Sequence, residues 1–233
     1  MTPDIRYFRN EAAYKLDATV ALSSCFSDEA EFEAFYSSLI TPHRKNQFLR
    51  VACFYHHLVK QGDWHVCDRG RDTVIGYLTN SYKVVGLFSL IESLSDAPHE
   101  DFYQWLVKQD SESTIFPIED ASRLKQLYDD YKASFGSIRR CVAFFERLTP
   151  HRKKELCDAV RINGVPLGSI KKLAEFLYNI RSKFVHEAEL ILQVSELRHL
   201  SKGKKGIVDT ELRIALLLTA FEEGLVAYFR DEI

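Results

Sequence analysis

Arg181 and His186 are the two side chains whose types and spacing best suit a reaction at phosphate. They stand in the stretch Leu177-Tyr178-Asn179-Ile180-Arg181-Ser182-Lys183-Phe184-Val185-His186-Glu187. Arginine offers planar, paired donors to phosphate oxygens, and histidine exchanges a proton near neutral pH. The two together are minimal equipment for handling a phosphodiester. Their spacing does not single them out, because Arg50 followed by His56 and His57 fits the same loose pattern. Cations also favour the C-terminal end of any helix. Local context separates the two stretches: the small polar Ser182 follows Arg181, whereas Val51, inside an apolar helical pattern, follows Arg50.

The element that must position the pair is a helix. Ile170, Leu173, Phe176, Leu177, Ile180 and Phe184 recur at spacings of three and four, which marks one apolar face. Gly168-Ser169 supplies an N-cap. Arg181 falls on the border of the apolar stripe. His186 points about 140° away from Arg181 if the helix continues unbroken. The two can then meet only if the helix tightens or ends near Val185, or if another chain completes the site.

The rest of the chain is mainly α-helical. Hydrophobic residues make up 46% of it, enough for a well-filled core, while Gly and Pro number only 10 and 6. Residues 1–27 have weak periodicity and read as partly irregular. Ser27-Asp28 caps a helix reaching about Ile40. Thr41-Pro42 opens the next, which Gly62-Asp63 breaks. A long helix spans about Asp72 to Ser95, with apolar residues on more than one face. Within it Glu92 calls for a cationic partner or for solvent, and Arg181 is a candidate for the former. A short helix at 100–109, a polar loop at 110–117, and helices over 118–133, 136–148 and 150–157 follow. Asn163-Gly164 is a turn signal. After His186, the apolar Leu190–Val194 run, a loop at Ser201–Gly206 and Ile207-Val208 suggest a small β-hairpin. Asp209 or Thr210 is placed to cap a last helix striped with Ile214, Leu217, Leu218, Phe221 and Leu225. The expected domains are a helical extension, 1–70, and a helical domain, 71–233.

Net charge is −2, but its distribution is uneven. From Ala121 to Phe184 there are 14 Lys and Arg against 6 Asp and Glu, and the remainder carries 17 against 27. A basic segment around the arginine–histidine stretch can attract phosphate locally, with Arg139, Arg140, Lys171 and Lys172 as its RNA-binding candidates. Lys202, Lys204 and Lys205 read first as a solvated turn. The five cysteines are scattered and odd in number, which argues against a disulfide framework. Cys53, His57, His65 and Cys67 match no recognised zinc spacing, so neither a metal nor a cofactor is expected. The N-terminus does not read as a signal peptide. The longest apolar runs, near Val84–Ile91 and Ile214–Phe221, are too short to span a bilayer. A cytoplasmic, membrane-free chain is the expectation.

The stretch Ile180-Arg181-Ser182-Lys183-Phe184-Val185-His186-Glu187, with Lys83-Val84-Val85-Gly86-Leu87-Phe88-Ser89-Leu90-Ile91-Glu92 and the closing helix, resembles the HEPN superfamily, most of all its Apea-like branch. The resemblance covers roughly Asp72 to the C-terminus and implies a HEPN-type helical bundle that dimerises with its two motifs facing across a cleft. It also implies metal-independent RNA cleavage by 2′-hydroxyl attack. His186 would move the proton, Arg181 would hold the phosphate, and Glu92, Ser182 and Lys183 would support them. The implied setting is bacterial defence or a toxin–antitoxin system, with an antitoxin or other regulatory protein as partner. Ser182 is smaller than the polar residues that often follow the arginine in the family. The alternative within the same resemblance is a non-catalytic module that binds RNA or a partner protein.

Overall fold

The computed structural model describes residues 9–64, 70, 72–94, 101–108, 118, 120–203 and 206–230. The expected 110–117 loop, His65, Cys67, Lys204 and Lys205 lie outside them. The fold is mainly helical with a small four-stranded antiparallel sheet. The helices are α1 (Glu11–Ala21), α2 (Glu29–Ser38), α3 (Pro42–Phe54), α4 (Asp72–Ser93), α5 (Phe102–Lys108), α6 (Ala121–Phe135), α7 (Ser137–Phe145), α8 (Pro150–Asp158), α9 (Ile170–Glu187) and α10 (Ile214–Arg230). The strands are β1 (Val160–Ile162), β2 (Val165–Pro166), β3 (His199–Gly203) and β4 (Gly206–Thr210).

Cap chemistry sets several of these boundaries. The Asp28 side chain accepts from the Glu31 amide at the start of α2. Thr41 and Thr149 do the same for α3 and α8, each ahead of a proline in the first turn. The Glu11–Ala21 segment, expected to be partly irregular, is helical and buries Ala18 and Ala21. Its own periodicity is weak, so tertiary packing against α3 decides its state.

Helix α10 is the hub. Phe48 meets Phe229 edge-on with ring centroids 5.3 Å apart, and Tyr55 lies 4.8 Å from Phe221. Phe144 of α7 stacks on Phe221 from the other direction at 5.5 Å. Gly224 permits this approach: a Cβ there would come within 2.6 Å of the Phe144 ring. Among the described residues one buried apolar cluster holds members from Ala18 to Phe229, on both sides of residue 70.

After Phe54 the helical path widens into a π-turn, Tyr55–Lys60, closed by Gln61 N–H donating to the His56 carbonyl at 2.9 Å. A five-residue step of this kind sets Tyr55 and Lys60 on one side. Both reach the carboxyl of Glu222 on α10, Tyr55 Oη at 2.5 Å and Lys60 Nζ at 2.8 Å. Ser24 donates to the same carboxyl, and Lys60 also donates to the Ala21 carbonyl at 2.6 Å.

Helix α4 has 22 residues, and its most apolar 18-residue window has a mean hydropathy of 1.3. It is long and apolar enough to cross a membrane by those two measures, so the apolar run at 84–91 belongs to a longer element than its own length suggests. Here α4 packs against the π-turn, α7 and α9.

The sheet has the order β2-β1-β4-β3. Asn163 and Gly164 both take positive φ, 52° and 79°, as a two-residue hairpin between β1 and β2 requires. The Asn163 side chain also accepts from the Ile207 amide at 2.9 Å, tying this turn to β4. The hairpin expected after His186 exists, but its first strand is His199–Gly203 and not Leu190–Val194. Leu190–Val194 contributes one bridge, Val194 to Leu212. Strand β3 lies at the sheet edge, where Ser, Lys and Gly are tolerated, so it reads as a loop. Asp209 and Thr210 end β4 and do not cap α10.

Candidate functional site

Ser169 opens α9 by accepting from the Lys172 amide at 3.3 Å. Ile170, Leu173, Ala174, Leu177 and Ile180 then form its buried stripe. The helix neither tightens nor stops at Val185. It continues to Glu187 and closes at Ala188, which takes a left-handed conformation with φ 55°. Its N–H donates back to the Lys183 carbonyl.

This continuity decides the geometry of the pair. Arg181 is half-buried at the edge of the stripe, and its Nε is enclosed with no hydrogen-bond partner. His186 is exposed in the last turn. The two side chains diverge by about 140° and are separated by about 7.5 Å along the axis, so one chain does not focus them on one phosphate.

Glu92 does not pair with Arg181. Tyr82 meets Phe184 at 5.1 Å and Phe88 meets Tyr178 at 6.4 Å, so α4 and α9 run antiparallel. That register puts Glu92 across from Ala174, about 10 Å along the axis from Arg181. One Glu92 carboxyl oxygen is enclosed without a hydrogen-bond partner, and the Glu92 backbone carbonyl accepts from Arg140 at 3.4 Å. Burial, reinforced by the nearby Glu92, pushes the Cys141 thiol far up.

Ser182 is half-buried. Lys183 is exposed and paired with Glu189 at 2.7 Å, which holds its ammonium above the ordinary lysine range. Lys183, Asn179, Phe176 and Lys202 line a groove of about 310 Å³ between α9 and the β3–β4 hairpin. Asn179 and His186, seven residues apart, lie within about 20° of one another around the helix, so His186 shares the groove side.

The four basic candidates lie at the other end of α9. Lys171 and Lys172 are exposed in its first turn, and Arg139 and Arg140 sit in the first turn of α7, which packs against α9. Lys171 and His186 are about 22 Å apart along the helix. Arg139 is exposed, but Arg140 is half-buried and spends a donor on the end of α4.

Two features were not legible from local spacing. Trp64 and Tyr82, each 45% exposed, lie 4.8 Å apart beside Phe184 of the motif stretch. The second is at the π-turn, where Asp17 of α1 joins His56 and His57. His57 Nε2 lies 3.1 Å from Asp17 Oδ2, and one ligand-type atom from each of the three residues falls within 4.8 Å of the others. Burial, then the neighbouring His57, lowers the His56 pKa below its ordinary value. The adjacent histidines were visible in the sequence, but Asp17 lies forty residues upstream of His57.

No family model matches the chain, and no curated protein or solved structure shows significant similarity to it.

Proposed function

We propose that this chain is a HEPN-like, metal-independent endoribonuclease whose reactive site is completed by a second copy. The observation that supports this most is the unbroken α9. It holds an arginine without a partner at its guanidinium Nε and an exposed histidine, on one helix but on different faces. Two such helices brought together supply the convergence that one lacks. Arg181 of one copy then faces His186 of the other across the phosphate. His186 takes the 2′-hydroxyl proton or returns one to the leaving oxygen, and Arg181 offsets charge developing on the phosphate. The product carries a cyclic phosphate end. The exposed rings of Trp64 and Tyr82 beside Phe184 give unpaired bases a surface on which to stack. A role in bacterial defence or toxin–antitoxin control, in the cytoplasm and under a regulatory partner, is the setting that the motif's resemblance suggests.

One observation favours a second reading. The buried Arg181 Nε is poorly presented to a substrate, as in a non-catalytic module that binds RNA or protein through the same face. Gel cleavage of labelled single-stranded RNA separates the two, with light scattering reporting the assembly state. A dimer that cleaves RNA but not DNA, unaffected by EDTA and inactivated about 10²–10⁴-fold by His186→Ala, is the expected result. Cleavage retained in His186→Ala, or lost on adding EDTA, overturns the mechanism. A wild-type chain that binds varied RNAs and cleaves none shifts the assignment to the module.

A further inference from the structure

The π-turn carries a group of side chains that the ribonuclease reading does not use. His56 and His57 follow Tyr55, whose hydroxyl and the Lys60 ammonium are committed to Glu222. The same turn carries both imidazoles against α1, where the Asp17 carboxylate lies 3.1 Å from His57 Nε2. π-Turns are frequent at functional positions, and this one closes the α3 path at Gln61.

Ordinary packing accounts for His57, which has a carboxylate partner and remains 57% exposed. It does not account for His56. That ring packs edge-on against His57 with centroids 4.7 Å apart. Its Nδ1 is enclosed and has no hydrogen-bond partner, whereas enclosed polar atoms are ordinarily satisfied. A ring nitrogen left without a partner, on an imidazole beside a second imidazole and a carboxylate, is a ligand arrangement.

We propose that Asp17, His56 and His57 form a binding site for a single divalent transition-metal ion of the zinc class, held between α1 and the π-turn. The three ligand-type atoms already lie within 4.8 Å of one another. Bonds of about 2.0–2.2 Å to imidazole nitrogen and carboxylate oxygen, in a tetrahedron, require separations of roughly 3.4 Å. The gap of a little over 1 Å is within reach of side-chain rotation by the exposed His57. Two imidazoles and one carboxylate favour zinc, cobalt, nickel or copper over magnesium and calcium, which prefer all-oxygen sets. The solvent-facing edges of His57 and Asp17 leave room for water at the remaining position. Cys53 does not complete the set, because its thiol donates to the Tyr14 carbonyl at 3.4 Å. The ion clips α1 to the turn that anchors Glu222. It stands more than half the chain away from Arg181 in sequence and takes no part in the proposed cleavage.

The test uses the full chain, freed of any affinity tag and of metal by chelation. Zinc chloride alone is titrated in by calorimetry, and cobalt(II) serves as the spectroscopic probe. One equivalent of zinc should bind with a dissociation constant in the micromolar range. Cobalt should show the intense visible bands of a low-coordinate site. Asp17→Asn, His56→Ala and His57→Ala should each weaken binding at least tenfold, and His151→Ala on α8 should not. Zinc should raise the melting temperature of the wild type by several degrees and leave that of His57→Ala unmoved. His57 is exposed, so this variant is expected to fold, which circular dichroism checks. Binding weaker than millimolar, or binding unchanged in all three ligand variants, overturns the site. Cleavage of RNA, present or absent, does not bear on that outcome.

Discussion

The Glu222 cluster is the most demanding test of the fold, because one carboxyl organises three distant pieces of chain. Its side chain is 5% exposed and is met by Lys60 Nζ at 2.8 Å, Tyr55 Oη at 2.5 Å and the Ser24 hydroxyl. Lys60→Met removes the cation and leaves the carboxyl enclosed with two hydroxyls. Stranding one member of a buried ion pair costs about 3–5 kcal/mol. At about 2–4 °C per kcal/mol for a chain of this size, the melting temperature should fall by roughly 6–20 °C. Glu222→Gln keeps shape and hydrogen bonding but weakens contacts to a charged partner, so about 1.5–3 kcal/mol is expected. Tyr55→Phe should cost about 1 kcal/mol, since Lys60 and Ser24 remain. The double variant Lys60→Met/Glu222→Met replaces the pair with apolar side chains of similar length. It should be more stable than the sum of the two single effects by at least about 2 kcal/mol. Urea unfolding of these proteins at pH 7, followed by circular dichroism, measures this cycle. A Lys60→Met cost below about 1 kcal/mol, or simple additivity in the double variant, would refute the view that the π-turn exists to present Tyr55 and Lys60 to Glu222.

Other expectations follow from single positions. Ala188 holds a left-handed conformation at the end of α9, so Ala188→Gly should stabilise by up to about 1 kcal/mol, read as a rise of about 2–4 °C in melting temperature. A fall would mean that the cap does not survive in solution. Burial pushes the Cys25 thiol up to about 11 and that of Cys53 to about 12, and raises Cys141 and Cys157 as well. Raised thiol pKa values keep the reactive thiolate scarce until pH approaches them. At pH 8 these four should therefore resist a thiol reagent in the native chain and label on unfolding, as mass spectrometry can map; rapid native labelling of Cys53 or Cys141 would contradict their burial. Charge reversal at the exposed Lys171 and Lys172 should weaken RNA binding and flatten its salt dependence by about one unit of slope for each phosphate no longer neutralised. The same change at Arg140 should also cost stability, since Arg140 donates to the Glu92 carbonyl, and unchanged affinity in Lys171→Glu/Lys172→Glu would reduce the segment to a solvated face.

What could be read from the sequence depends on how far apart the deciding residues lie. Helix α9 was legible because its cap, its stripe and its motif fall within twenty residues, and the 3.6-residue period alone showed that Arg181 and His186 diverge. Asn163-Gly164 announced its turn for the same reason. Strand β3 was not legible, because an edge strand with one wet face needs no apolar alternation. The π-turn was invisible locally, since Glu222, the partner of its Tyr55 and Lys60, sits more than 160 residues away. Asp17 joins the histidines only once α1 has packed on α3. The pairing of Glu92 with Arg181, one of the two options left open by the sequence, is not made: the antiparallel packing of α4 on α9 sets Glu92 two turns from Arg181. These cases bear on the proposed site itself. The part of it that local spacing predicts, divergence of the pair, survives into the fold unchanged. Half-burial of Arg181 comes from packing that spacing cannot describe. By helix geometry Tyr178 and Val185 flank Arg181 one turn away on either side. Val185 is 46% exposed, so the composite site proposed above calls for a second copy that docks on this side of the helix and presents its own His186 there.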